Sequence, residues 1–440
     1  MALITALASC SRSEDEPQGG EDEDDGADTT EASGESHIAS GEFGDLGVVC
    51  QDGDAAGATD TGVTDTEVRV GVLTDESAEA SPGLNQEMFD TAEAFAAWCN
   101  EHGGINGREL VVEKLDAALF SYADRIAEAC NGDYFAVVGG GAVFDDADNG
   151  ARVDCGLPSL PAYVVSDGAR RADLQVQAVP NPAGEFALLQ YQAVRELHPD
   201  ATRFGVFWVD VGGVGLVHEQ LVEAVEGLGF SVDYDRVYAV QNETNWPTFV
   251  QEMQEADIQV VELIGEPNNM TALLEAMDVA GWHPEAMTMQ ANMYDETFRQ
   301  EAQSSVGTDI YIRSVFDFTQ TNEMPAVDDY FELMETYNPE GKYPAVLGAT
   351  SLSSFLLFAS AATECGDDLT RQCLLDTAAS RDGWAGGGLH APTTPSNDEV
   401  PECGLLIQLT PDGFVYNEEA TAPDDGVYNC EPDNVLDLEG

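Results

Sequence analysis

Five groups of residues in this 440-residue chain carry the means to hold a small molecule without covalent chemistry. Thr74, Asp75 and Glu76 follow one apolar run. Gly140-Gly141-Ala142-Val143-Phe144 follow another, and Tyr163-Val164-Val165-Ser166 a third. Farther along stand Trp208, Asp210, Glu266, Asn292 and Tyr294, and beyond them Asp317 and Trp384. Glycines after a strand let backbone N–H groups approach an anionic or carbonyl oxygen. They serve a plain tight turn equally well. Phe144, Tyr163, Trp208 and Tyr294 can line a pocket for an apolar or cationic solute, though each taken singly also suits core packing. Asp210 and Glu266 can balance a cationic group, but 83 acidic residues put a carboxylate in many loops by chance.

Motifs for covalent chemistry do not occur. There is no G-x-S-x-G elbow, no phosphate-cradling G-x-x-x-x-G-K-[ST], no H-E-x-x-H, and no full G-x-G-x-x-G after the first strand. Gly139-Gly140-Gly141 lacks the further glycine and the acidic ribose partner. The six histidines, 37, 102, 198, 218, 283 and 390, show no ligand spacing with the cysteines, and no C-x-x-C is present. The reading therefore assigns no catalytic residue, no cofactor and no metal.

The elements that must position these residues alternate. Glu67–Leu73 reads as a buried strand and Gln86–Glu101 as a helix with Met88, Ala92, Phe95, Ala96 and Cys99 on one face. Arg108–Leu115, Phe135–Gly139 and a segment within Leu157–Val165 continue as strands, with a helix at Tyr122–Cys130. Strands are expected again at Phe204–Val209, Val232–Val240, Ile258–Ile264, Ala286–Gln290 and Asp309–Val315. Helices fall at Gly184–Leu197, Gly215–Leu228, Thr248–Glu255, Asn268–Ala280 and Tyr294–Ala302. Helical stretches at Tyr343–Thr363 and Asp368–Ala379 follow, then a hairpin of Cys403–Leu409 and Gly413–Tyr416. Two βαβ runs imply an α/β fold of two Rossmann-like lobes with parallel sheets. Ligands of such sheets sit outside the carboxyl ends of the strands, which is why the loops above are the candidates.

Charge narrows the partners. The chain has 16 basic and 83 acidic residues, a net charge of −67, and only two lysines, Lys114 and Lys342. Nothing here neutralises a run of phosphates, so nucleic acid is excluded as a partner. The acidity reads as a solubility device in a salty medium, where ions screen self-repulsion. Glu14–Asp45 is dense in acids with Gly, Ser and Thr between them, so residues 11–61 read as a disordered, extended tether.

The first ten residues are apolar or small and end in Leu7-Ala8-Ser9-Cys10. This resembles the bacterial lipobox, in which the cysteine thiol is acylated after signal cleavage. A basic n-region is missing, so residues 1–10 read as a truncated lipoprotein signal peptide with an upstream start. Lipidation is expected at Cys10. Eight cysteines remain, an even number that suggests disulfides outside the cell. They allow 105 connectivities. The expected pairs are Cys365–Cys373, Cys99–Cys130, Cys403–Cys430 and, for what is left, Cys50–Cys155.

Several motifs resemble one family. Gly62-Val63-Thr64-Asp65-Thr66-Glu67-Val68-Arg69-Val70-Gly71 is similar to the entry of the first strand of type I periplasmic-binding proteins, the receptors of branched-chain amino acid ABC transporters. Asn100-Glu101-His102-Gly103-Gly104-Ile105-Asn106-Gly107-Arg108, Ala136-Val137-Val138-Gly139-Gly140 and Cys155-Gly156-Leu157-Pro158 match later segments in order and spacing. The resemblance spans about 62–420. It implies a three-segment hinge, with lobe one at 62–180 plus 318–382 and lobe two at 181–317 plus 383–440. It also implies a monomeric solute-binding lipoprotein on the extracellular face of the cytoplasmic membrane, or in the periplasm, capturing a polar or amphipathic small-molecule solute (an amino acid, amide or related compound) and delivering it to ABC transporter permease subunits. A ligand-sensing receptor subunit is the alternative. The amino-acid-binding members carry Ser in the third-strand loop and Ser/Ala/Thr after the fourth strand. This chain has Gly-Gly-Ala-Val-Phe and Tyr-Val-Val-Ser there, which argues against a standard α-amino acid.

Overall fold

The strand Glu67–Thr74 shows why the chain builds parallel sheet. Its sequence, EVRVGVLT, is largely β-branched and apolar, and it is buried from Val70 to its end. A strand covered on both faces belongs inside a sheet flanked by helices. The computed structural model describes residues 36–438 apart from 80, 147, 240, 241 and 396–398. In it Glu67–Thr74 pairs in parallel with Glu109–Asp116 on one side and Ala136–Val138 on the other. Ser159–Leu160 completes a four-stranded parallel sheet.

A second sheet has seven strands. Ser231–Val237, Arg203–Trp208, Val260–Leu263, Ala286–Met289 and Asp309–Ser314 lie side by side in that order, all parallel. Leu405–Thr410 adds antiparallel to Asp309–Ser314, and Gly413–Tyr416 closes the edge as the expected hairpin. The chain leaves the first sheet after Leu160, returns after Ser314, and leaves again before Leu405. Those are three crossings between two lobes.

During its return the chain forms Pro325–Tyr337 and Val346–Cys365, which pack against Gln86–Glu101. Val346–Cys365 is buried nearly all round, as a helix without a polar face must be. The stretch Val346–Asp368 has the length and apolarity to cross a membrane, but 83% of its apolar window is buried inside the protein. Its three buried serines all have partners. Ser351 Oγ donates to Met88 O, Ser354 Oγ donates to Pro161 O, and Ser353 Oγ meets His390 Nε2 at 2.8 Å.

Three expectations need correction. Residues 36–61 are not an extended tether. Ser36 caps the turn His37–Ser40, Ile38 and Phe43 are buried, and Trp98 Nε1 donates to Ile38 O at 2.9 Å. A few apolar anchors and one disulfide outweigh the acidic composition there. Cys50 pairs with Cys99, and Cys130 with Cys155, so two of the expected pairs are exchanged. Cys99 lies on the buried face of its helix, where Cys50 reaches it, whereas Cys130 faces the turn after Asp148–Asp154. Cys365–Cys373 and Cys403–Cys430 pair as expected. The expected helix Gly184–Leu197 begins instead as a strand, Glu185–Ala187, paired with Val435–Asp437, and turns helical at Leu189. Cys10 lies outside the described residues.

Candidate functional site

A cavity of about 340 Å³ opens at the carboxyl ends of both sheets. Its size falls in the range of small-molecule sites. Asn85, Val143, Ala162–Val165 and Arg170 contribute from loops of the four-stranded sheet, with Val346, Leu347 and Thr350 from the buried helix. Ile264, Gly265 and Glu266 follow the strand Val260–Leu263. Gln290, Ala291 and Asn292 follow Ala286–Met289. The crossings add Val179, Pro180, Phe186, Val315, Phe316, Val400 and Pro401. The wall is mostly apolar, with a few polar groups.

Of the residues singled out by sequence, Val143, Tyr163, Val164, Val165, Glu266 and Asn292 line this cavity. The others stand elsewhere. Asp75 is fully buried and accepts from Leu119 N at 2.7 Å and Val143 N at 2.8 Å. It pins the Val143 loop instead of facing the cavity. Burial pushes its carboxyl above the usual range, against those two hydrogen bonds. Thr74 beside it is buried, its Oγ1 without a partner. Gly140 and Gly141 serve close packing. A Cβ on Gly140 would lie 2.3 Å from Leu73 N, and one on Gly141 2.5 Å from the Tyr163 ring. With Ala142 they back the Tyr163 loop around a crevice of only about 10 Å³.

Phe144 packs at a tilt against exposed Phe120, with centroids 5.2 Å apart. Trp208 stacks on His218 and donates to Asp235 at 2.8 Å. Asp210 is exposed. Tyr294 is buried against Phe318 and Phe414, and its hydroxyl accepts from Phe318 N at 2.7 Å. It lines a separate cavity of about 210 Å³ with Arg299 and Thr319. Asp317 is buried and accepts from Thr319 N at 2.9 Å and Asn322 Nδ2 at 2.7 Å. Trp384 Nε1 donates to Ser353 Oγ at 2.9 Å, away from the cavity.

Glu185, whose carboxylate accepts from Val400 N at 2.7 Å, is one acidic group on the wall, and Glu266 is the other. Burial pushes the Glu266 carboxyl up to about 7, helped by the charges of Glu87 and Asp75 and opposed by Lys342. Lys342 bridges Glu87 at 3.0 Å and Asp295 at 2.9 Å. Those two carboxylates outweigh its burial and hold its ammonium above the usual range. Tyr163 Oη accepts from Asn85 Nδ2 at 2.6 Å. Asn292 Nδ2 donates to Gly265 O at 3.0 Å, and its Oδ1 has no partner.

Sequence reasoning missed two arginines on the wall. Arg170 ends a short turn capped by Ser166. Its Nε donates to Val165 O at 2.9 Å and its Nη1 to Gln220 Oε1 at 3.2 Å. Arg313 sits in the strand Asp309–Ser314, and its Nη2 donates to Pro401 O and, at 3.2 Å, to Cys403 O. Its Nε is buried without a partner. Burial lowers both guanidinium groups to about 10, against Asp145 and Asp167 for Arg170 and unopposed for Arg313. Both remain charged at neutral pH. The available signal was scarcity: with so few basic residues, one placed inside a buried strand asks for a reason. Among the described residues no group of His, Cys, Asp and Glu is arranged to hold a metal ion.

Comparisons agree with this architecture. No curated protein matched the sequence. A fatty acid ABC transporter substrate-binding protein from Thermomonospora curvata superposes with a TM-score of 0.70 at 15% identity, covering 88% of this chain and 98% of its own. The branched-chain amino acid transporter substrate-binding protein LivJ from Streptococcus pneumoniae, in complex with isoleucine, gives 0.66 at 15% identity, covering 80% and 100%. A leucine-binding protein LivK from Thermotoga maritima gives 0.63 at 12% identity, covering 79% and 97%. At such identities the likeness is one of fold. The family described as periplasmic binding protein matches residues 67–413, most of the chain. With two α/β lobes, three crossings and a cavity at the strand ends, this chain belongs to the periplasmic binding protein family.

Proposed function

We propose that this chain captures a small amphipathic solute between its lobes, outside the cytoplasm, and delivers it to the permease of an ABC importer. The observation that carries the reading is the cavity, walled by strand-end loops of both sheets and by the crossings between them. A ligand there touches both lobes and stabilises their closed arrangement. The neighbours in fold are named for leucine, isoleucine and fatty acids, ligands that share an apolar body and a carboxylate. Four disulfides suit an oxidising compartment. Residues 62–180 plus 318–382 would move as one lobe and 181–317 plus 383–440 as the other, with Cys10 as the lipid anchor.

The test is thermal-shift screening of the purified chain against amino acids, amides, amines and carboxylic acids. A ligand at about 100 times its Kd adds roughly 2.7 kcal/mol of stability. A folded protein that no solute stabilises contradicts the reading. Metabolic labelling with a radioactive fatty acid tests the anchor: the label should be lost in Cys10→Ala.

A further inference from the structure

We infer that the cavity selects an elongated amphipathic carboxylate, its head group held by Arg170 and Arg313 and its body lying along the apolar wall. The inference rests on the cavity being the solute site.

Charge is the first argument. Most of the few basic side chains in this acidic protein have a carboxylate partner within ion-pair distance, as Arg69, Lys114, Arg203, Arg236 and Lys342 do. Among the described residues neither Arg170 nor Arg313 has one. Arg108, Arg195 and Arg371 also bond chiefly carbonyls, but none of these lines the cavity. Arg170 and Arg313 do, one from each lobe, and Arg313 keeps an unused, buried Nε–H. A guanidinium held out of water gains most from a carboxylate, which accepts two parallel N–H bonds.

The other polar groups on the wall are the second. Glu185 already accepts from Val400 N at 2.7 Å, and the Asn292 Oδ1 is an acceptor without a partner. Neither offers a carboxylate a donor, so the charged donors left on the wall for one are the two arginines. Size is the third. About 340 Å³ lies in the range of small-molecule sites, which suits a short-chain carboxylate such as octanoate.

The experiment is calorimetric titration of the unaltered chain with octanoate, octanamide, octylamine and L-leucine. Octanoate should bind about tenfold or more tightly than octanamide, the charge-assisted bonds being the difference. Arg313→Gln should remove that preference while octanamide binds as before. Arg170→Gln serves in the same way if the Arg313 variant does not fold. Tighter binding of octylamine or L-leucine, or equal binding of octanoate and octanamide, overturns the inference and leaves the solute-binding reading in place. Binding of none of the four overturns the inference, and the solute screen then decides the broader reading.

Discussion

Replacing Glu266 with Gln should make the protein more stable at neutral and alkaline pH, by an amount that grows from pH 4.5 to about 7 and then holds. The carboxyl ionises at about 7 in the fold against an ordinary 4.5, because burial and the charges of Glu87 and Asp75 disfavour its anion. The sign follows from proton binding. Between those two values the folded state keeps a proton that the unfolded state has released, so stability falls as pH rises and levels off above about 7. The full rise from 4.5 to about 7 corresponds to about 3 kcal/mol. Water in the cavity screens part of it, so a gain of about 1–3 kcal/mol is expected in Glu266→Gln. The assay is urea unfolding of both proteins from about pH 4 to about pH 8, taking the difference at each pH so that other carboxylates cancel. The difference should start near zero and grow. A difference that is constant with pH, or that favours the wild type at high pH, refutes the argument.

Raising salt from about 0.05 M to about 2 M should raise the melting temperature, because a net charge of −67 repels itself and the Debye length contracts; an unchanged melting temperature removes that account. Non-reducing peptide mapping should recover Cys50 linked to Cys99 and Cys130 linked to Cys155, and Cys50→Ser with Cys99→Ser should lower stability by about 2–4 kcal/mol. Gly213→Ala should loosen closure, since its Cβ would lie 2.5 Å from Ser166 Cα, where cavity-lining Val214 and Val165 adjoin the two residues. Overpacking of that kind costs about 1–3 kcal/mol, to be read as weaker solute binding and a larger radius by small-angle scattering. Association of a carboxylate ligand should speed up with added salt, because screening weakens long-range repulsion by the acidic surface; slower association would contradict it.

Local pattern was enough for the framework. Residues such as Val68, Val70 and Val72 are apolar at every buried position, and the glycines after Glu101 end the helix there, so alternation of strands and helices was legible. Glu266, Tyr163 and Asn292 were legible as wall residues because a parallel sheet places the loops at its carboxyl edge in one region. Asp75, Gly140 and Gly141 occupy the same kind of loop but turn inward, to pin Val143 and to fit against Leu73 and Tyr163. Whether a loop residue faces a cavity or its own sheet depends on contacts from distant segments.

By itself the sequence determined the α/β class, the two runs of parallel strands, the acidic character and an even set of disulfide-forming cysteines. These follow from composition and from periods of a few residues. Tertiary structure alone decided that residues 36–50 fold against Trp98 and Cys99, that Cys130 meets Cys155, and that Arg170 and Arg313 reach one cavity. The two arginines lie 143 positions apart in the chain. Only packing of the crossings brings them to one wall, and long-range packing leaves no mark in local spacing.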